Sequence, residues 1–119
     1  MTGNTLTLPW AVLLPDNARH GLMRGRILLT SKYRKALDGA KMLAAAQWKG
    51  PTLKGRVALD VTLYEPDKRR RDLLNYGKLL GDALSMTVIN DDSQIDCVTM
   101  TRGALDRHNP RAVIRVTPL

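Results

Sequence analysis

The chain has 119 residues, of which 19 are Lys or Arg and 11 are Asp or Glu, so its formal net charge at pH 7 is +8. This length predicts one domain over residues 1–119, and the excess of positive charge favours an anionic partner such as nucleic acid. No stretch is long and apolar enough to span a bilayer, and the N-terminus lacks the basic start of a signal peptide. We therefore expect a cytoplasmic protein without a membrane partner, in which the single Cys97 is a buried, inert thiol.

The N-terminal quarter predicts a short strand and then a long basic loop. Residues 5–8 alternate polar and apolar side chains before a proline, which is typical of a strand. Pro, Asp, Asn and Gly punctuate residues 11–26, so this segment is expected to be a loop. The loop carries Asn17 and Arg19 and either touches a phosphate backbone or is simply solvated, and both interpretations stay open. We expect His20 and His108 to be surface residues.

The middle of the chain predicts a helix followed by a strand. Apolar positions at helical spacing run from a cap at Thr30 or Ser31 to about Trp48. Residues 55–65 alternate in the manner of a strand. One face of that strand is expected to hold Val57, Leu59, Val61 and Leu63.

The C-terminal half predicts one more helix and two strands. Asp72 is the natural N-cap of a helix that ends near Leu84. Strands are expected at residues 94–101 and 111–117, joined by a turn or hairpin loop at residues 103–110. A further short strand is expected at residues 27–29. The main elements follow the order β, loop, α, β, α, β, β, which is an α/β (α+β) fold with a small mixed sheet and two helices.

A run of four cations stands directly before an acidic residue. The run is Lys68, Arg69, Arg70 and Arg71. It precedes Asp72, and a second acidic point, formed by Asp91 and Asp92, lies before the next strand. Cations bind a phosphate backbone, and carboxylates brought together at one sheet edge would hold Mg²⁺ or Mn²⁺ for hydrolysis.

Lys78 lies six residues after Asp72 and would neutralise charge that develops on the reacting phosphate. The alternative interpretation is that Asp72 is a plain helix cap and that Asp91 and Asp92 form an ordinary turn. Asp67 and Asp82 are weaker candidates, since Asp82 would lie roughly 15 Å from Asp72 along a helix axis.

The segments PDKRRRDLLNYGKLLGDAL and INDDSQI, together with the opening TLTLPW, resemble the RusA-type Holliday junction resolvases. The resemblance implies a mixed α/β fold, an intertwined homodimer and a phage or prophage origin. It also implies an endodeoxyribonuclease that cuts four-way DNA junctions with paired nicks, using Mg²⁺, in the nucleoid-containing cytoplasm of a bacterial host.

The resemblance carries the family's metal ligands onto Asp72 and Asp92 and its catalytic lysine onto Lys78. It carries the motif asparagine onto Asn75, which we group with the DNA contacts. The run from Arg69 to Arg71 matches the family's DNA-contacting cations, and Asn17 and Arg19 match its Pro- and Asn-rich loop. We expect all of these residues, together with Lys68 and Lys78, to contact DNA. One position departs from the family motif D-x-D-N, because Leu74 stands where a second acidic ligand is expected.

Leucine cannot bind a cation, so three interpretations of Leu74 remain open. The chain is an inactivated variant, a natural degenerate that still binds junctions, or a variant that recruits Asp91 or Asp67 as a ligand. The leading hypothesis is a Mg²⁺-dependent junction endonuclease, or an inactivated copy of one. The alternatives are a non-catalytic, structure-specific DNA- or RNA-binding protein and a basic module for an acidic protein partner.

Overall fold

The computed structural model describes residues 4–16, 20–23 and 26–119. Six strands and two α-helices lie in these residues. In chain order they are β1 (Thr5–Pro9), β2 (His20–Met23), β3 (Arg26–Leu29), α1 (Ser31–Gln47), β4 (Val57–Tyr64), α2 (Gly77–Leu84), β5 (Ile95–Arg102) and β6 (Arg111–Pro118).

The main sheet has four strands in the order β1-β6-β4-β5. Strand β6 pairs antiparallel with both β1 and β4, whereas β5 pairs parallel with β4. Strands β2 and β3 form a separate antiparallel pair. The predicted small mixed sheet with two helices is therefore confirmed.

The core lies between the sheet and the two helices, which pack against each other. Strand β4 buries every second residue, as its alternation predicts. Helix α1 begins where the Thr30 hydroxyl accepts a hydrogen bond from the backbone N–H of Tyr33 at 3.1 Å. Its buried face is lined by Tyr33, Ala36, Ala40 and Ala44, which are mostly small and so allow close packing.

The sequence predicts a turn or a hairpin loop between the last two strands. The hairpin is wrong, because β4 lies between β5 and β6. The connection instead crosses the C-terminal end of β4. There the backbone N–H of Gly103 donates to the Leu63 carbonyl at 2.9 Å. A Cβ atom on Gly103 would lie 2.7 Å from the Tyr64 ring, so this crossing requires glycine.

Three further predictions need correction. Cys97 is exposed, since β5 is an edge strand whose outer residues no other element covers among the described residues. The expected loop at residues 11–26 contains part of a 3₁₀ turn, Trp10–Val12, and strand β2. The second helix begins as a 3₁₀ turn, Leu73–Tyr76, before α2 starts. Among the described residues, no helix has the length and apolarity needed to cross a membrane.

Candidate nucleic-acid and metal site

The cation run forms a loop, residues 66–72, that leaves the C-terminal end of β4. Lys68, Arg69 and Arg70 are exposed and make no ion pair with any described residue. The Asp67 carboxylate accepts a hydrogen bond from the backbone N–H of Arg69 at 2.9 Å and so shapes the turn. These three side chains are therefore free to meet a polyanion.

Arg71 differs from the other members of the run. Its Nη1 lies 2.9 Å from Asp67 Oδ1 and 3.6 Å from Glu65 Oε2, and its guanidinium carbon lies 5.2 Å from the Trp10 ring centroid. The hydrogen bond with Asp67 raises the pKa of Arg71 and lowers the pKa of Asp67. Only 15% of the Arg71 side chain is exposed, so this arginine anchors the loop. Its predicted contact with DNA stays a prediction.

Glu65 is a buried carboxylate that the sequence interpretation missed. It is 2% exposed, and its Oε1 accepts a hydrogen bond from Arg102 Nε at 2.7 Å. Arg102 Nη2 also donates to the Arg71 carbonyl at 2.6 Å. Glu65 thus ties the loop to β5. The signal was present, because the alternation of buried residues in β4 continues onto position 65.

Asp72 lies on a surface depression of about 530 Å³. The depression is lined by Pro15, Arg70, Arg71, Asp72, Asn75 and Tyr76. Asp72 occupies the N-cap position of the 3₁₀ turn, yet its carboxylate caps no N–H. Among the described residues it makes no ion pair either, so its oxygens are free to bind a cation.

Burial raises the pKa of Tyr76 at the wall of this depression. Leu74, the residue that departs from the family motif, is 76% exposed on the same 3₁₀ turn. Leucine at this position therefore serves no packing purpose in the core.

Lys78 forms the centre of a second cluster. Its ammonium lies 3.1 Å from Asp82 Oδ1 and 3.2 Å from Asp92 Oδ2. Hydrogen bonds to the two carboxylates raise the pKa of Lys78, and the bond to Asp82 has a larger effect than the bond to Asp92. Gly81 of α2 packs against Asp92, and a Cβ atom at this position would lie 3.5 Å from Asp92 Cβ, which is ordinary van der Waals contact.

Asp82 was a weaker candidate on the sequence, and the structure brings it to Lys78 and Asp92. The signal for this contact is the i, i+4 spacing of Lys78 and Asp82 on one helix face.

Asp91 has a structural partner. It is the N-cap of a 3₁₀ turn, Asp92–Gln94, and its carboxylate accepts a hydrogen bond from the Ser93 N–H at 3.0 Å. Hydrogen bonds from the Ser93 side chain, and then from the Ser93 backbone, lower the pKa of Asp91. Gln94 completes a capping box, which is the ordinary turn that the alternative interpretation expected at this position.

The described residues contain no group of three or more His, Cys, Asp or Glu side chains that could hold a metal ion. Asp72 lies with Asn75 in the depression, and Asp92 lies with Lys78. A pocket shared by Asp72 and Asp92 stays a prediction. Oxygen ligands from one or two carboxylates still suit Mg²⁺, which keeps several waters when it binds to protein. Asn17 and Arg19, two predicted DNA contacts, lie outside the described residues.

Exposed cations beside a free carboxylate and a lysine–carboxylate cluster are the features expected of a protein that binds nucleic-acid phosphates. Residues 10–117 match the family Endodeoxyribonuclease RusA. The match covers most of the chain, and the chain belongs to the RusA endodeoxyribonuclease family.

Membership confirms the predicted resemblance and indicates a Holliday-junction-resolving endonuclease. The family acts on branched DNA junctions, and nucleases of this kind usually use a divalent metal. No curated protein matches the sequence.

Proposed function

We propose that this protein is a homodimer that resolves four-way DNA junctions by Mg²⁺-dependent hydrolysis of two phosphodiester bonds. The family match over residues 10–117 carries this proposal. Three features of the site support it: a depression that holds an unpaired carboxylate, an exposed group of cations beside it, and a lysine clamped between two carboxylates.

Each side chain has a distinct role in this proposal. Lys68, Arg69 and Arg70 bind the phosphate backbone and set its position over the depression. Asp72 and Asp92 are the residues that would hold the metal. When bound, a divalent cation supplies an activated water and stabilises charge on the phosphate oxygens.

Lys78 would donate hydrogen bonds to the reacting phosphate group. Asp82 would keep the Lys78 ammonium in place if Asp92 held a cation, because the lysine bridges both carboxylates. Asn75 lies beside Asp72 on the depression and would orient the backbone through its amide. In a dimer, two such sites would match the two-fold symmetry of a junction and give paired cuts.

A second candidate function is structure-specific junction binding without cleavage. Leu74 favours it, since an exposed leucine replaces an acidic ligand that the family motif provides. The exposed cations do not depend on Leu74, so binding would survive the loss of hydrolysis. A gel assay of a labelled four-way junction with and without Mg²⁺ separates the two candidates. Nicking that needs Mg²⁺ supports hydrolysis, and a shifted, uncut junction supports binding alone.

Replacing Leu74→Asp is expected to raise Mg²⁺-dependent nicking at least tenfold, because it adds an oxygen ligand on the turn that carries Asp72. Fold stability should hardly change, since the side chain is 76% exposed. The measurement is the single-turnover cutting rate of a labelled junction. Leu74→Asn is the matched control, which adds a polar side chain without the charge. Equal rates for the two variants would remove position 74 from metal binding.

A further inference from the structure

The start of α1 carries an uncompensated group of cations. Lys32, Arg34 and Lys35 all lie within its first five residues, and the first turn contains no acidic residue. A helix N-terminus has positive character, so cations there cost stability. Cations at this position are therefore more easily explained by a role in binding than by a role in stability.

Lys32 and Lys35 are exposed and make no hydrogen bond or ion pair with any described residue. Arg34 is partly engaged, because its Nη2 donates to the Leu29 carbonyl at 3.3 Å. Asp38 lies one turn further along α1 and pairs with none of them. The two lysines are therefore free charges.

The two lysines and the candidate site both lie against the segment at residues 10–15. They line a depression of about 250 Å³ with Ala11, Val12, Leu14 and Ala36. Pro15, the next residue of that segment, lines the larger depression with Arg70 and Asp72. Residues 10–15 thus separate two groups of free cations, one at the start of α1 and one in the loop at residues 66–72.

We propose that Lys32 and Lys35 form a second phosphate-binding surface, which holds a further arm of the branched DNA that the candidate site cuts or binds. This inference rests on the proposed function. Lysine suits such a role, since its ammonium is a flexible point charge that meets phosphates without a fixed geometry. The arms of a junction diverge from its centre, so cations on both sides of residues 10–15 can meet different arms of one junction.

The test compares Lys32→Gln/Lys35→Gln with the charge-matched control Lys49→Gln/Lys54→Gln. The control residues are also exposed and lie beyond the other end of α1. Dissociation constants for a labelled four-way junction are measured without divalent metal between about 50 and 200 mM salt.

Loss of two phosphate contacts should flatten the slope of log K against log[salt] by about 2 and weaken binding about tenfold at 0.1 M salt. The control should change both quantities by less than half as much. The urea midpoint of Lys32→Gln/Lys35→Gln should stay unchanged or rise, because the variant removes cations from the positive end of α1. A slope change equal to that of the control overturns the inference and makes the two lysines part of a solvated helix face.

The unmodified protein is also measured on a linear duplex with the same arm sequence. Equal affinity for the junction and the duplex contradicts the proposed function together with this inference. Preference for the junction with equal effects of the two double variants contradicts the inference alone.

Discussion

Glu65 is the residue on which the geometry of the cation loop depends. Its buried carboxylate lies between Arg102, at 2.7 Å, and Arg71, at 3.6 Å. Arg102 in turn donates to the backbone of Arg71, so one carboxylate ties the loop at residues 66–72 to the C-terminal end of β5. The exposed cations that precede Asp72 are thereby held in place by a residue that cannot itself touch DNA.

Replacing Glu65→Gln is expected to destabilise the fold by about 2–3 kcal/mol, because it leaves two arginines beside a buried group without charge. The loss is smaller than for a fully buried ion pair, since the Arg102 side chain is 45% exposed. Urea unfolding at pH 7 measures the loss. Asp67→Asn is the control, because it removes the exposed partner of Arg71. A smaller loss for Glu65→Gln than for Asp67→Asn would contradict the role assigned to Glu65.

The sequence patterns predict well which types of residue lie near the site. They predict less well which of these residues contact each other. The run of four cations was visible, but the pattern could not separate Arg71 from its neighbours. That distinction comes from Trp10 and Glu65, which are distant in sequence and close in the fold. Asp82 was set aside on its distance from Asp72, whereas its contact with Lys78 brings it to Asp92. Long-range packing decides such pairs, and residue spacing does not contain it.

The turn between α2 and β5 positions Asp92 through one amide side chain. Gln94 Oε1 accepts hydrogen bonds from the backbone N–H groups of Asn90 and Asp91, at 2.8 and 3.0 Å. Its Nε2 donates to the carbonyls of Leu53 and Gly55, at 2.9 and 2.8 Å. A single residue therefore joins the turn to the segment before β4.

The substitution Gln94→Ala should destabilise the fold by about 2–6 kcal/mol, since four hydrogen bonds are lost at roughly 0.5–1.5 kcal/mol each. Gln94→Glu is the matched variant, because it keeps the two bonds that accept from the turn and loses the two donated bonds. It should fall between Gln94→Ala and the unmodified protein. Chemical denaturation followed by circular dichroism gives the order. Equal stability of all three proteins would show that the turn is held by other contacts.

Elements with a strong local pattern were predictable, and their arrangement was not. The Thr30 cap and the apolar spacing gave α1 to within a residue at its start, and alternation gave β4. The sequence contained no sign that β5 would pair parallel to β4 at an edge, which is why Cys97 was wrongly expected to be buried. Strand order depends on how the connections cross the sheet, and that is a property of the whole fold.

The cations of the described residues are of two kinds, those that make ion pairs and those that do not. Five cations, including Arg71 and Lys78, make ion pairs within the described residues. The unpaired cations include Arg70, which lines the depression with Asp72, and its neighbour Arg69, and these charges make the surface near Asp72 positive. Since every cation–phosphate contact releases a counterion, the salt dependence of binding reports which cations touch DNA.

The double variant Arg69→Gln/Arg70→Gln is therefore expected to flatten the slope of log K against log[salt] by about 2, while fold stability stays nearly unchanged. Fluorescence anisotropy of a labelled junction without divalent metal measures the slope. The control is the double variant Arg107→Gln/Arg115→Gln, which removes the same charge from other exposed positions. Should the control flatten the slope as much, binding would depend on net charge alone, and the loop at residues 66–72 would lose its special place in the interface.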